Sequence, residues 1–137
     1  MTGLWQEREM MWMLAVKEAS DLIKKAHIKG IDEVCPFNIP AETVGNPDKT
    51  IIRVSDVSTR LGLWGSNDFH SLTREVEVQI FYKQNLEVDP EETETALYRL
   101  FVHHDWTMGE NRGHTIDPDT NQLTSTFYVS NEELKTN

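Results

Sequence analysis

Cysteine is nearly missing from this chain, with Cys35 the single example in 137 residues. One thiol cannot close an internal disulfide, and no histidine or second cysteine stands at metal-ligand spacing, so a disulfide scaffold and a spaced-cysteine zinc site are both excluded. Cys35 is expected as a small buried hydrophobe in a reducing compartment. Long apolar runs are missing too: none approaches the roughly 20 residues that a bilayer-crossing helix needs. Basic residues are scarce, 13 Lys and Arg against 23 Asp and Glu, for a formal charge of −10. A chain so charged repels phosphates and does not fit a nucleic-acid grip built on clustered Lys and Arg. The one basic run, Lys24, Lys25, His27 and Lys29, reads as the solvated end of a helix, where cations suit the dipole. The first residues carry Glu7 and Glu9 and no basic stretch leading into an apolar run, so no secretory signal is expected and the protein is expected in a cytoplasm. Neither a repeat nor a low-complexity tract is seen.

What remains is a length and composition that build one core. The hydrophobic fraction of 38% and the charged fraction of 26% are those of a folded domain rather than a disordered or membrane chain. One domain over 1–137 is expected, since 137 residues cannot carry two independent cores. A long first helix is predicted over 4–29, because Trp5, Trp12, Val16, Ala19, Ile23 and Ala26 recur at helical spacings, with Gly30 as its left-handed cap. Met10 to Leu14 is apolar almost all round, more than one buried face requires. A short strand is expected over Ile31 to Phe37, a turn at Gly45 to Asp48, and a second strand from Ile51 to Val57. The clearest strand is Leu72 to Tyr82, where Val76, Val78, Ile80 and Tyr82 face one way and Glu75, Glu77, Gln79 and Phe81 the other. Asp89, Pro90 and Glu92 announce a second helix by cap, first-turn proline and capping box. Its inward face is read as Ala96, Leu97, Leu100, Phe101 and His104, with Glu94, Arg99 and His103 outward. A hairpin follows, Arg112 to Ile116 and Leu123 to Val129 about a turn at Asp117 to Asn121, before a short tail at 132–137. The order predicts an α+β fold: a mostly antiparallel sheet in which 31–131 supplies the strands and second helix, with two helices packed on one face.

Candidate chemistry is thin. Asp117, Asp119 and Asn121 have the opening spacing of a calcium loop, but Gln122 stands where the sharp glycine belongs and Tyr128 where a bidentate glutamate is required, so a plain hairpin turn is the better reading. His103, His104 and Asp105 are neighbours at a helix end and point in different directions, which favours capping over metal binding. His70 and His114 are isolated, and no serine or cysteine nucleophile motif is present. The acids from Glu87 to Glu94 read as dipole partners and solubilising charge. No catalytic residue, metal ligand or cofactor is therefore assigned.

The informative segment is Ser58 to His70, read as a long glycine-punctuated loop carrying Leu61, Leu63, Trp64 and Phe69. Loops carry function disproportionately, and an apolar surface cluster marks a contact site. The bland alternative folds Trp64 back onto its own sheet. Glu75 and Glu77, side by side on one strand face, imply water or a polar channel beside them.

Trp64 to His70 running into Arg74 to Tyr82, followed by Asp117 to Gln122 and Phe127 to Asn131, resembles a family of small tail proteins from long-tailed phages and prophages of Gram-positive bacteria, long classed as a domain of unknown function. The resemblance covers the chain from about Ile31 onward, and its motifs are specific to the family without being chemical. It implies a tail terminator: a ring, commonly a hexamer, that caps the tail tube at the head-proximal end of the virion and meets the head connector. The implied partners are copies of itself, the major tail tube protein and the neck protein, with DNA passing through unbound. A ring subunit needs two different patches that meet head to tail. The candidates are Leu61, Leu63, Trp64 and Phe69 on one side and Trp5, Met11 and Trp12 of the first helix on the other. Glu75, Glu77, Glu91, Glu92 and Glu94 are candidate lumen acids, since a negative wall keeps DNA from sticking. A head-completion or neck connector is the alternative within the class. A small metal-dependent hydrolase using the Asp117 and His104 regions is the alternative outside it.

Overall fold

The computed structural model describes residues 14–39 and 46–135. Within them the order is α1 (Ala15–Ala26), β1 (Glu33–Pro36), β2 (Ile51–Gly62), β3 (Ser71–Phe81), α2 (Pro90–His103), β4 (Thr107–Ile116) and β5 (Leu123–Leu134). The strands form one five-stranded sheet ordered β1-β2-β3-β5-β4. Only the β1–β2 pair is parallel; the other three pairs are antiparallel. Both helices lie on the same face, and the architecture is the expected α+β one.

The alternation in β3 creates that single covered face. Val76, Val78 and Ile80 are fully buried, joined by Ile52 and Val54 from β2 and Phe127 and Val129 from β5. Val16, Ala19 and Ile23 of α1 and Leu97 and Phe101 of α2 close over them in one cluster. Aromatic edges lock the α2 side: Phe101 meets Phe127 and Trp106 at centroid distances of 6.2 and 5.5 Å, and Tyr98 meets Phe127 at 5.1 Å. Such edge-to-face pairs add roughly 0.5–1.5 kcal/mol beyond area burial.

Several boundaries differ from the sequence reading. The part of the expected 4–29 helix before residue 14 lies outside the described residues, as do Trp5, Met11 and Trp12. At the other end α1 stops at Ala26, because His27 takes the left-handed conformation (φ 49°) and donates its N–H to the Lys24 carbonyl. Gly30 (φ +96°) is therefore not the cap. It makes the next turn, where an added Cβ would sit 3.2 Å from Val88 Cβ and 3.3 Å from Thr93 Oγ1. Ala26, expected inward, is exposed past the last packed turn. The strand read over Ile31 to Phe37 narrows to β1. Residues 58–62, read as loop, continue β2: a bulge at Val57 shifts the register, and pairing resumes from Ser58↔Glu75 to Gly62↔Ser71. The bulge breaks the alternation that a reader follows. The last hairpin is longer than expected at both ends, and residues 132–134, read as tail, pair with β3.

Candidate functional site

The β2–β3 ladder, flanked by β5 as far as Ser71↔Leu134, ends in an arm tip built from residues 63–70. Ser66 (φ 53°) and Asn67 (φ 63°) both take positive φ, the requirement of a tight two-residue hairpin turn. Gly65 and Asp68 pair across it, N–H to carbonyl in both directions at 2.8 and 2.9 Å. Asp68 Oδ1 accepts the Phe69 N–H at 2.9 Å, and the His70 N–H returns to the Gly62 carbonyl at 3.0 Å. The tip is thus a small hydrogen-bonded hairpin set on a larger one. Trp64 stands on it 65% exposed, with Leu63 at 55% and Leu61 at 47%. Phe69 is half-buried and braces Trp64 edge-on at 6.0 Å. Trp64 does not fold back onto the sheet. Leu61 lies in the strand rather than in a loop.

The candidate lumen acids separate. Glu75 and Glu77 are half-buried on the sheet face that neither described helix covers. Tyr128 donates its hydroxyl to Glu77 at 2.8 Å, and the Arg112 guanidinium lies 5.2 Å above the Tyr128 ring. The hydrogen bond to Glu77, with burial adding to it, holds the Tyr128 phenol above its ordinary pKa. Glu91 and Glu92 are exposed at the start of α2, on the layer that covers the opposite face. The two pairs cannot share one wall within a subunit.

Glu94, read as an exposed lumen acid, is corrected outright: it is 4% exposed. It precedes Leu97 by three residues and so shares the inward stripe of α2. Its carboxylate accepts from Tyr82 Oη at 2.6 Å and Tyr98 Oη at 3.3 Å, and His114 Nε2 lies 2.8 Å away. Burial first, and the Glu94 hydrogen bond second, push the Tyr82 phenol far above its ordinary pKa. The expected inward partners Ala96 and His104 are exposed instead; His104 Nδ1 caps the helix on the Leu100 carbonyl at 2.8 Å. At the helix start Asp89 caps as expected, accepting the Glu91 N–H at 3.0 Å.

A second polar hub had gone unread. Arg74, 7% exposed, meets Glu18 Oε2 at 2.7 Å, Glu133 Oε2 at 3.2 Å and Asn131 Oδ1 at 3.1 Å, tying α1 to β3 and β5. The signal was available: residue 74 has the parity of Val76, Val78 and Ile80 and so faces the core side. The Lys135 hydrogen bond, the largest influence, holds the Glu133 carboxyl below the usual range against the opposing effect of burial, with the Arg74 charge adding to the lowering.

Asp117 Oδ1 accepts the N–H groups of Asp119 (2.8 Å) and Thr120 (3.3 Å), and Asn121 takes φ 59° to close the turn, so this segment is a hairpin turn. Its acids lie at the far end of β4 from His104, roughly 30 Å away at the usual rise per strand residue. Asp117 and His104 cannot act on one substrate. Among the described residues no group of three His, Cys, Asp or Glu could hold a metal ion, and no helix is long and apolar enough to cross a membrane.

A one-sheet α+β domain with an exposed apolar hairpin tip defines the class. The chain belongs to the family described as "Protein of unknown function (DUF806)", whose profile matches residues 14–133. No curated protein matches it. Among solved structures it is similar to the PVC sheath/tube terminator of an extracellular contractile injection system in its extended state, at 7% sequence identity and a TM-score of 0.50. The match covers 89% of this chain and 56% of that one; the chain therefore spans a little over half of the terminator's length. The likeness is one of fold.

Proposed function

We propose that this protein is a structural tail terminator of a phage-like particle, a subunit that closes into a ring on the finished tail tube and joins it to the head connector. The observation that carries the reading is the shared fold: nearly the whole chain superposes on a protein that terminates a sheath and tube. The exposed Trp64 tip supports it, because burying a side chain of that size against a neighbour contributes about 1.5–3 kcal/mol of the hydrophobic driving force. A ring of six, in a long-tailed phage or prophage of a Gram-positive host, is the form we propose. Glu75 and Glu77, on the uncovered sheet face, are the acids best placed to repel DNA phosphates from a lumen wall; Glu91 and Glu92 fit an outer rim. The role is one of assembly, without turnover.

Deleting the gene tests this. Electron micrographs of the deletion phage are expected to show tails of irregular length that do not join heads. Normal tails on filled heads would refute the reading. A head-completion protein would instead leave tails of normal length, and that outcome favours the neck connector.

A further inference from the structure

We propose that the arm tip of one copy docks into a specific cavity of the next, at the opposite end of the same sheet. The proposal rests on the ring-forming reading and gives it a contact. The cavity, about 460 Å³, opens on the face away from the two described helices, between the β4–β5 turn and Asn38 and Ile39, a size in the range of well-formed ligand pockets. Ile51, Phe81 and Ile39 give it apolar lining, and Arg53 and the Asp117 and Asp119 turn give it polar lining. Arg53 bonds Gln79 through one Nη and lies over Phe81 at 5.8 Å, while its Nε is buried without an acceptor.

The tip presents the matching chemistry. An indole is the best face for a guanidinium, and Trp64 is the most exposed aromatic side chain described. Arg60, two residues before Gly62, is exposed and pairs in register with Thr73, on the same uncovered face as the cavity. Neither Arg60 nor Asp119 has an ion-pair partner among the described residues, so each is available to the other across a contact. Eleven strand steps separate Ile51 from Gly62, about 35 Å at the usual rise. A tip cannot reach its own cavity, and two different patches at opposite ends make a head-to-tail contact that either closes into a ring or propagates.

The test uses two full-length variants, Trp64→Asp, which spoils the tip, and Ile39→Glu, which spoils the cavity, both checked for native circular dichroism. Wild-type protein is expected to associate with rising concentration in size-exclusion chromatography with light scattering. Each variant alone is expected at the 15.8 kDa chain mass. Their equimolar mixture should stop at twice that mass, because one good tip and one good cavity remain. Independently, Arg60→Glu should weaken association at least fivefold, and adding Asp119→Lys in the same chain should restore most of it. A monomeric wild type, assembly by Ile39→Glu, a monomeric mixture, or no rescue by the charge swap would each overturn the pairing. A wild type that assembles through some other face, with normal tail termination, would remove this contact and leave the terminator reading standing.

Discussion

Replacing Glu94 is the sharpest perturbation of this fold, because it separates a buried structural acid from an exposed functional one. Glu94→Ala removes the shared acceptor of Tyr82, Tyr98 and His114. Tyr82 Oη keeps one weak alternative, the Pro90 carbonyl at 3.3 Å, and Tyr98 Oη still accepts from Asn111 at 2.7 Å. His114 is 40% exposed at its side chain and can turn to water. The cost is therefore dominated by one poorly satisfied buried hydroxyl, about 1–3 kcal/mol, plus the lost packing of a side chain that is 4% exposed. A total near 3 kcal/mol is expected, which for a domain of this size lowers Tm by roughly 10 °C. Glu94→Gln keeps the shape and an acceptor oxygen, and should cost about half as much. Tyr82→Phe should lose about 1–2 kcal/mol, and combining it with Glu94→Gln should give less than the sum, since one change weakens the bond that the other removes. Glu92→Ala, on the exposed side of the same helix, should stay within about 0.5 kcal/mol. Urea unfolding monitored by circular dichroism measures the set. Equal effects at Glu94 and Glu92 would refute the buried network and return Glu94 to the candidate lumen acids.

Alkaline pH reports on the same network. Tyr82 has its folded pKa raised above an ordinary value of 10.0, so its contribution is complete below about pH 10 and is lost as pH rises further, when the unfolded chain releases the proton first. Thermal melts from pH 7 to 11 should be flat and then fall, with a shallower fall in Tyr82→Phe; identical slopes in the two proteins would contradict this. Two glycines at positive φ offer a graded comparison. Gly113 (φ +74°) has nothing within 4 Å of an added Cβ, so Gly113→Ala should cost only backbone strain, about 1–2 kcal/mol. Gly30→Ala adds the close approach to Val88 and Thr93 and should cost clearly more; the reverse order in denaturant midpoints would show that the turn into β1 is slack.

The arm tip shows how a correct residue choice can rest on an incomplete geometry. Leu61, Leu63, Trp64 and Phe69 stood out by composition, but the Val57 bulge hid the continuation of β2, and three positive-φ residues, Leu63, Ser66 and Asn67, gave an irregular pattern to what is a regular hairpin. α2 shows the reverse. Its cap and first-turn proline were plain, while its rotation about its own axis was misjudged, since an acid on the inward stripe is indistinguishable from an exposed one until its donors are placed. Those donors come from the residue just after β3, from α2 itself and from β4, up to 20 residues away.

By itself the sequence determined the fold class, the covered and uncovered faces of β3, the start of α2, the final turn and the acidic surface. All of these follow from periodicity, capping and charge, which act over a few residues. Only the tertiary structure decided that Arg74 and Glu94 are buried hubs, that Glu75 and Glu77 lie on the opposite layer from Glu91 and Glu92, and that the apolar tip stands about one sheet-length from the cavity proposed to receive it. The reason is physical. Burial of a charge depends on partners brought together by strand pairing and helix packing, and neither leaves a local mark on the chain.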